Sequence, residues 1–421
     1  MRVLFVLGNV YPHDDANSMI VMRICRELKR IDSKMQISIL GTGEEEGSEI
    51  LNDIQIHRFV VSQLNSVSDD LRDFLTQNIA ISRKQKVARL LLNPKLFVEY
   101  IINRFKANSP SIQYRNVIRL LHHDNSYDAV IGVSFPFTAC LGAAKARLNI
   151  PFFYYQLDPY FSHYLQPNKR MSLNQERYVC RKAKTIMLTD LIYKEYMQSP
   201  LKKYLKKSIV VGFPAIEQAE STSLSATKKV NGRIHMLYLG SLYYDIRSPK
   251  GFLKLASEMI RNGIDLSVDF VGPVFGTPDE DTISYLHNLG DHVMFHGRVN
   301  GKEAKEWFEK TDILINIGNT IKNQMPSKIF EYFSSGKAIL NFYKFDQCPT
   351  LQYTIKYPHC MNIPDDYNLS PDFIKSVRDF CSRYSKSLIP YSIIEETFRN
   401  FTSKEIGRLF FESISNHVSD G

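Results

Sequence analysis

Short runs of apolar residues alternate along this chain with longer segments in which apolar residues recur every three or four positions. The runs predict strands buried on both faces, and the longer segments predict amphipathic helices. The strands predicted in the first half are 3–7, 37–40, 54–61, 129–133, 152–155, 185–188 and 209–211. Most of them are followed by a helical pattern, which is typical of a doubly wound parallel sheet.

The alternation stops at residues 216–232, which are rich in Ser, Thr and Lys and predict a linker or an exposed loop. Beyond this segment, strands are predicted at 234–239, 266–271, 292–296, 313–317 and 338–342. The helices predicted there are 250–262, 282–289, 302–310, 327–334 and a last one at about 393–415. We therefore expect two α/β domains, 1–215 and 216–392, followed by a C-terminal helical segment, 393–421.

The composition agrees with two soluble domains. The chain has 421 residues, of which 44% are hydrophobic and 23% are charged. Its longest nearly apolar stretch, 129–144, is shorter than the ~20 residues that cross a bilayer. We expect no signal peptide, because the apolar run 3–10 is short and lacks a basic region before it. The six scattered cysteines indicate a reducing cytoplasm and no disulfide framework.

The net charge of +9 comes from the first half, where residues 1–215 hold 30 Lys and Arg against 19 Asp and Glu. One segment concentrates the cations, with Glu99 as its single acid: Arg83, Lys84, Lys86, Arg89, Lys95, Arg104, Lys106, Arg115 and Arg119. This basic segment is either a solvated helix surface or a site for an anionic membrane or nucleic acid. Nucleic acid is disfavoured, because the aromatic pattern of single-strand binders is missing.

Four elements of the second half occur in a fixed order: MLYLGSLYYDIRSPKGF (236–252), LSVDFVGP (266–273), HVMFHGRV (292–299) and DILINIGNTIKNQMPSKIFEYFSSGKAIL (312–340). This succession resembles the donor-binding domain of retaining GT-B glycosyltransferases of the family 4 type, which build bacterial polysaccharides and glycolipids. The opening LFVLGNVYPHDDANSMIVMRICREL resembles the first strand, loop and helix of that family. The resemblance covers nearly the whole chain, weakly between about 60 and 125. It implies the GT-B architecture, two Rossmann-like doubly wound domains facing across a cleft.

The resemblance places the donor diphosphate at Gly240, Ser241, Arg247 and Lys250. A diphosphate carries about two charges and favours cations and free backbone N–H groups. The family has an Arg directly after the glycine and a Lys before the next glycine. Here Ser241 occupies the Arg position, whereas Lys250 matches. Arg247 either substitutes for the missing Arg or is a solvated loop charge.

The resemblance places further donor contacts at the start of the helix predicted at 327–334: Met325, Pro326, Ser327 and Lys328. Pro followed by Ser suits a helix start and leaves N–H groups pointing out of it. The family has two glutamates separated by seven residues here, the second of which binds the donor ribose. Glu331 matches the second, and Asn323 replaces the first. The alternative for Glu331 is a helix acid paired with a neighbouring cation.

The backbone of Gly297, Arg298 and Val299 meets the base in the family, and this stretch resembles a uracil site more than a guanine site. The donor implied is a UDP-sugar. Gly8 and Asn9 lie where the first loop of the family approaches the donor phosphates and the acceptor. Glycine there either lets the backbone come close to a ligand or serves only a turn.

Two residues after the strand predicted at 152–155 are the catalytic candidates. Asp158 lies where the family has a histidine or an acid facing the sugar, and His163 lies behind it. Each can equally cap a turn, since Asp before Pro commonly starts one. Retaining enzymes of this family use the leaving phosphate as the base, so the protein mainly positions the reactants and stabilises the diphosphate.

The function implied is the metal-independent transfer of a hexose-type sugar from a UDP-sugar to a glycan or lipid-linked acceptor in bacterial surface polysaccharide synthesis. We expect the protein in the cytoplasm, peripheral on the inner face of the membrane, without a nucleic-acid partner. The resemblance also implies that the final helix packs back on the first domain through an apolar stripe: Ile393, Ile394, Phe398, Phe401, Ile406, Leu409 and Phe410. A nucleotide-sugar epimerase and a catalytically inactive accessory subunit remain alternatives.

Overall fold

The computed structural model describes residues 1–11, 16–61, 92–98, 109–134, 136–163, 166–212, 214–217, 233–321 and 325–418. It divides into two compact units: unit 1 is Met1–Val211 with Gly407–Gly421, and unit 2 is Gly212–Ile406. Most of the predicted linker, 218–232, lies outside the described residues, as do 83–91 and 99–108 of the basic segment.

Unit 1 is built on an eight-stranded sheet. Its strands are β1 (Arg2–Asn9), β2 (Gln36–Thr42), β3 (Gly47–Leu51), β4 (Ile54–Phe59), β5 (Ala129–Ser134), β6 (Phe152–Gln156), β7 (Thr185–Leu188) and β8 (Ser208–Val210). The order across the sheet is β3-β4-β2-β1-β5-β6-β7-β8, and only β3 runs antiparallel to its neighbour. Every residue of β5 and β7 is buried, as continuous apolar runs predict for a sheet covered on both faces.

The described helices of unit 1 connect these strands. They are α1 (Ala16–Ile31), α2 (Ser109–Asn125), α3 (Phe137–Ala146), α4 (Lys169–Lys182) and α5 (Asp190–Met197). Asn168 caps α4, because its side chain accepts the N–H of Met171 over 3.0 Å. A 3₁₀ helix, Lys202–Lys207, leads into β8.

Unit 2 has a six-stranded parallel sheet and a separate two-stranded one. Its strands are β9 (Ile234–Leu239), β10 (Leu242–Tyr243), β11 (Leu266–Val271), β12 (Val274–Phe275), β13 (Val293–Gly297), β14 (Ile313–Ile317), β15 (Ala338–Tyr343) and β16 (Cys360–Pro364). The large sheet has the order β13-β11-β9-β14-β15-β16, and β10 pairs with β12.

The helices described after β9 are α6 (Lys250–Arg261), α7 (Glu280–Leu289), α8 (Gly301–Lys310), α9 (Lys328–Ser334), α10 (Leu351–Thr354), α11 (Pro371–Tyr384), α12 (Tyr391–Thr397) and α13 (Ser403–Val418). The strands and helices predicted up to residue 342 are present with shifted ends. Strands β3, β10 and β12 were not predicted. The residues of β3 alternate in exposure, and β10 and β12 have only two residues each, so none of the three contains a long continuous apolar run.

The single last helix predicted at 393–415 is wrong. The structure has α12, a 3₁₀ turn at Arg399–Phe401 and then α13, whose start is marked by a hydrogen bond from the Glu405 N–H to the Thr402 hydroxyl over 3.2 Å. The predicted stripe is divided accordingly. Phe398 stacks on Phe333 within unit 2, whereas Phe410 packs within unit 1.

Among the helices that the structure describes, none is long and apolar enough to cross a membrane. All six cysteines are free, and all but Cys360 are buried.

Candidate functional site

Three glycines meet at the carboxyl ends of adjacent strands in unit 2. Gly240 follows β9, Gly272 follows β11 and Gly297 ends β13, with φ angles of +142°, +140° and +66°. A Cβ atom on Gly272 would lie 2.1 Å from the carbonyl oxygen of Gly240. The Gly272 N–H donates to the Gly297 carbonyl over 2.7 Å. Positive φ and close backbone approach both favour glycine, so this sheet edge presents backbone without side chains. The prediction included Gly240 and Gly297 but omitted Gly272, although it stands in the quoted VGP motif.

Arg247 connects the loop after β9 to the loop after β14. Its Nε donates to the Asn319 side-chain oxygen over 2.8 Å, and its Nη1 donates to the Tyr238 hydroxyl and the Ser241 carbonyl, each over 3.3 Å. Asn319 is buried and Arg247 is partly buried. These contacts fix the guanidinium close to Gly240, at the carboxyl end of the sheet where parallel α/β domains bind ligands. Arg247 is therefore not a solvated loop charge.

Lys250 points in another direction, towards the start of α7. Its ammonium lies 3.0 Å from a carboxylate oxygen of Asp279 and 2.5 Å from one of Asp281, and its side chain is 37% exposed. Hydrogen bonds to Asp281 and Asp279 raise the pKa of Lys250 to about 12. Lys250 is thus paired with Asp279 and Asp281, which were not among the predicted site residues.

Gly251, directly after Lys250, lies where a larger residue would not fit. A Cβ atom on Gly251 would lie 2.4 Å from Oδ1 of Asp365, which approaches the first turn of α6. The other oxygen of Asp365 accepts from the Lys344 ammonium over 2.6 Å, and that ammonium also donates to the Ser248 carbonyl over 3.0 Å. Lys344, whose side chain is 9% exposed, supports the loop before α6 and was missed by the prediction. It follows β15 in an ordinary polar stretch that gives no signal in sequence.

Helix α9 packs against the end of β9. The Tyr332 hydroxyl accepts the Leu239 N–H over 2.8 Å, and a Cβ atom on Gly240 would lie 3.9 Å from Cγ of Lys328. The ammonium of Lys328 is 2.7 Å from a carboxylate oxygen of Glu331, whose side chain is 25% exposed. The tertiary fold therefore brings Gly240, Lys328 and Glu331 together, and Glu331 has the helix cation that the alternative interpretation expected.

The start of α9 differs from the prediction. Met325 is partly buried, Pro326 is buried, and Ser327 has helical backbone angles, φ −62° and ψ −23°, with no side-chain hydrogen bond to cap the helix. Ser327 therefore does not cap α9, because a capping residue has an extended backbone and accepts an N–H of the first turn. The N–H of Ile329 instead bonds to the Pro326 carbonyl over 3.2 Å. Asn323 lies outside the described residues.

The stretch predicted to meet the base forms the turn between β13 and α8. Gly297 pairs with Val271 after an irregularity in the register, Arg298 is exposed and Val299 is partly buried. His296, directly before this turn, lies 2.7 Å from a carboxylate oxygen of Asp269 and packs on Trp307 at a ring distance of 4.2 Å. These contacts fix the strand from which the turn leaves.

In unit 1, Gly8 and Asn9 are the last residues of β1, where a loop was predicted to begin. Gly8 is buried, and the register between β1 and β2 shifts before Asn9. The Asn9 side-chain oxygen accepts the Thr42 hydroxyl over 3.1 Å. The strand therefore extends further than predicted, and both residues lie at its carboxyl end.

Asp158 and His163 lie in the loop between β6 and α4. Burial raises the pKa of Asp158 to about 6 and lowers the pKa of His163. The N–H of Leu157 donates to the Ser134 hydroxyl oxygen at the end of β5 over 3.2 Å, which holds the start of this loop on the sheet. A carboxyl group with a raised pKa at the carboxyl end of a parallel strand is a typical acid–base candidate.

The chain is similar to solved structures over nearly its whole length. The lipopolysaccharide outer core galactosyltransferase WaaB in its apo form is 13% identical, with 99% of both chains covered and a TM-score of 0.57. The Anabaena protein HepE in complex with UDP and glucose is 11% identical, with 99% of this chain and 100% of that chain covered and a TM-score of 0.58. Sucrose-phosphate synthase from Thermosynechococcus elongatus is 9% identical, with full coverage of both and a TM-score of 0.61.

No protein-family model and no curated protein sequence matches the chain. At these identities the structural similarity establishes the fold, and the fold is GT-B, as the sequence motifs predicted.

Proposed function

We propose that the protein is a metal-independent glycosyltransferase that moves a hexose-type sugar from a UDP-sugar to a glycan or lipid-linked acceptor, with retention, in bacterial surface polysaccharide synthesis. The observation that carries the proposal is the meeting of Gly240, Gly272 and Gly297 at the carboxyl ends of the unit 2 strands, with Arg247 bonded to the Ser241 carbonyl and with Lys328, the partner of Glu331, beside Gly240. One of the similar structures is a lipopolysaccharide galactosyltransferase, and another is a complex with UDP and glucose.

Each group has a role in donor binding. The side-chain-free edge at Gly240 lets the diphosphate approach backbone N–H groups, and Arg247 supplies a cation with a fixed fork of donors. Lys250 adds a second cation when the diphosphate competes with Asp279 and Asp281 for it. Glu331 accepts the ribose hydroxyls, and the turn after Gly297 meets the uracil.

Donor stabilisation is the direct test. The intact chain is heated with UDP-, GDP-, ADP- and CMP-linked sugars, and UDP-sugars are expected to raise the melting temperature most. A ligand at 100 times its dissociation constant stabilises the folded state by about 2.7 kcal/mol. If no nucleotide sugar shifts the transition, unit 2 is not a donor domain and the proposal fails.

Turnover and stereochemistry follow from the donor so identified. The released nucleoside diphosphate is measured with and without a pool of lipid-linked or oligosaccharide acceptors, and NMR of the product gives the anomeric configuration. Acceptor-dependent release with retention is expected. Release without any acceptor supports an epimerase instead, and donor binding without release supports an inactive subunit.

In unit 1, we propose that Asp158 faces the transferred sugar, with His163 behind it. Asp158→Asn preserves the shape but removes the charge, and it is expected to lower kcat by about 10²- to 10⁴-fold with little change in donor affinity. Unchanged kcat in this variant, together with an unchanged His163→Gln variant, would remove both residues from the mechanism.

We further propose that the basic segment docks the protein on an anionic membrane. Of its described parts, 92–98 presents Leu92 at 85% and Val98 at 55% exposure, and 109–119 lies on α2, where the following residue Leu120 is 61% exposed. Cations beside exposed apolar side chains suit the interface of an anionic leaflet, where each cation contributes about 1 kcal/mol.

A further inference from the structure

Unit 1 contains a carboxyl group that the sequence did not mark. Glu176 lies in the middle of α4 and is 0% exposed. One carboxyl oxygen is 2.8 Å from Nε2 of Gln156 and 2.7 Å from the Tyr196 hydroxyl, and the other accepts the N–H of Phe161 over 3.0 Å. A fully buried acid is rare unless a specific partner set holds it.

Its partners bracket the loop that carries Asp158. Gln156 is the last residue of β6, and Phe161 follows Asp158 by three positions. Nε2 of Gln156 also donates to the Asp158 carbonyl over 3.3 Å. A single carboxyl group therefore ties both ends of the segment 156–161 to α4.

The number of protons available for the hydrogen bonds among Glu176, Tyr196 and Gln156 depends on whether Glu176 is protonated. The Tyr196 hydroxyl has one proton and lies 2.7 Å from both Glu176 Oε1 and Gln156 Oε1. If Glu176 is ionised, the single Tyr196 proton serves only one of the two contacts: either Gln156 Oε1 receives no proton from these neighbours, or the Tyr196 oxygen faces the carboxylate oxygen at 2.7 Å with no proton between them. If Glu176 carries a proton, it donates to the Tyr196 oxygen, and Tyr196 donates to Gln156. Each of these three hydrogen-bonded groups is then paired. An unmet buried acceptor costs about 1–3 kcal/mol.

The surroundings also favour the neutral form. The titratable groups that act on Glu176 or feel its charge come from β6, α3, α4, α5 and the loop: Tyr154, Cys140, Cys180, Tyr196, Glu195 and Tyr160. None of them is a cation, and Glu195 disfavours a second negative charge nearby. Burial raises the pKa of Glu176 to about 7, against hydrogen bonds from Tyr196, Phe161 and Gln156 that lower it.

We propose that Glu176 is a positioning residue that, as a neutral carboxylic acid, fixes the loop bearing Asp158. The importance of that loop for sugar transfer rests on the proposed function, whereas the proton and the loop restraint do not. Ionisation places an uncompensated carboxylate in the core, so it loosens the loop. Transfer is therefore expected to decline as pH rises through the titration of Glu176.

The proton is tested on the intact chain by infrared difference spectroscopy between about pH 5 and pH 9. The wild type is expected to show a protonated-carboxyl band that titrates near neutrality. Asp158, whose pKa is about 6, contributes to the same band, so the comparison is made in the Asp158→Asn background. In that background Glu176→Gln, which keeps the volume, should abolish the band, and Glu45→Gln, which changes an exposed acid of the same unit, should keep it. A band that persists when both Asp158→Asn and Glu176→Gln are present, or its absence from Asp158→Asn at about pH 5, overturns the assignment.

The restraint is tested by amide hydrogen exchange of peptides that cover 157–163. Glu176→Gln cannot accept at both oxygens, so exchange there is expected to rise at least tenfold above wild type and above Glu45→Gln. The wild type should show the same increase when the pH is raised, after correction for intrinsic exchange. Equal exchange in all three proteins contradicts the positioning role, whether or not a donor is turned over.

The functional consequence is a split between kcat and donor affinity. Because the proposed donor contacts lie in unit 2, Glu176→Gln is expected to keep the UDP-sugar Kd within about twofold. Its kcat is expected to fall about 10- to 100-fold, because a small misplacement of a reacting group lowers the rate by this order. The alkaline decline of the wild type should be missing from its pH profile. Unchanged kcat with an unchanged profile overturns the role in transfer.

Discussion

The two cations of the candidate donor site differ in how firmly they are held. Arg247 contacts a buried amide and two oxygens near Gly240, so its guanidinium is already oriented before any ligand arrives. Lys250 is paired with Asp279 and Asp281 at an exposed surface. Exposed ion pairs contribute little to stability, so Lys250 can change partner at small cost. We expect Arg247 to set the position of the diphosphate.

Glu331 gives the sharpest test of donor binding. Its carboxylate is partly exposed and bonded to Lys328, so Glu331→Ala is expected to leave the melting temperature nearly unchanged. Loss of hydrogen bonds to a charged group costs about 1.5–3 kcal/mol, which weakens UDP-sugar binding about 10- to 100-fold. Isothermal titration measures the affinity, with Glu306→Ala on the exposed face of α8 as control. Wild-type affinity in Glu331→Ala would refute the assignment.

Glu176 also predicts a pH dependence of stability. Its folded pKa, about 7, lies above the ordinary value of 4.5, so the folded state retains a proton that the unfolded state loses. The free energy of unfolding therefore falls as pH rises from about 4.5 to about 7 and levels off above that range. The shift corresponds to about 3 kcal/mol.

Denaturant titrations at several pH values measure this loss. The difference in the free energy of unfolding between wild type and Glu176→Gln should change by a few kcal/mol between about pH 4.5 and about pH 7. The difference between wild type and Glu45→Gln should stay constant over the same range. Parallel curves for wild type and Glu176→Gln would show that Glu176 titrates normally.

Helix α13 begins at the end of unit 2 and belongs to unit 1 from Gly407 onwards. Phe410 is 0% exposed and lies against Phe5 of β1 and Tyr155 of β6, with ring distances of 6.2 and 5.1 Å. Gly407 permits close contact with α1, because a Cβ atom there would lie 2.4 Å from Cβ of Glu27. The C-terminal helix thus completes the core of unit 1.

A pair of matched substitutions tests this division. Phe410→Ala and Phe398→Ala each remove one buried ring and are each expected to cost about 3–5 kcal/mol. Hydrogen exchange should increase in β1 and β6 for Phe410→Ala, and in α9, which carries Phe333, for Phe398→Ala. Increased exchange confined to unit 2 in the Phe410 variant would contradict the packing.

Three asparagines in register cross the sheet of unit 2. Asn316 of β14 donates to Asn341 of β15 over 2.6 Å, and Asn341 donates to Asn362 of β16 over 2.7 Å. The strand pairing places these residues directly beside each other. A slip of one residue would bury unpaired amides, so this row fixes the register.

Asn341→Ala breaks the row at its centre and leaves a donor of Asn316 unpaired, whereas the Asn362 oxygen keeps the Thr354 hydroxyl as a donor over 2.6 Å. We expect a loss of about 1–3 kcal/mol in the free energy of unfolding. Chemical denaturation measures it, and Asn368→Ala, at an exposed position, serves as control. A loss in Asn341→Ala no greater than in the control would mean that the row contributes no stability.

Considered as a whole, the molecule has an uneven charge, with the positive excess in residues 1–215. If the basic segment docks on a membrane, the protein should bind anionic liposomes at low salt and neutral liposomes weakly. Binding should fall as salt rises, because the Debye length is about 8 Å at physiological ionic strength. Co-sedimentation with vesicles measures both effects.

The matched variants replace four cations each with Gln. One changes Arg83, Lys84, Lys86 and Arg89. The control changes exposed lysines of the same unit: Lys182, Lys202, Lys203 and Lys206. The first should lose most of the anionic binding and keep its UDP-sugar affinity, and the control should keep both. Equal losses would mean that net charge alone is responsible, and no wild-type binding would mean that the acceptor is not reached through the membrane.

The two α/β units, most of their strands and the GT-B fold could be predicted from the amino-acid sequence alone. Strand placement is local information, because burial on both faces requires a continuous apolar run such as the one in β5. Gly240 and Gly297 at strand ends were also predicted, and their positive φ angles are a conformation that favours glycine.

The contacts between side chains, by contrast, depend on the folded structure. Lys250 pairs with Asp279 and Asp281, and Lys344 lies beneath the loop before α6. Both arrangements form because the fold brings together strands and helices that are far apart in the chain. Glu176 reads in sequence as an ordinary acid of a polar helix. Its role arises because Gln156, Phe161 and Tyr196 hydrogen-bond to its two buried carboxyl oxygens. Long-range contacts of this kind depend on chain geometry that no local pattern encodes, so the folded structure alone assigns them.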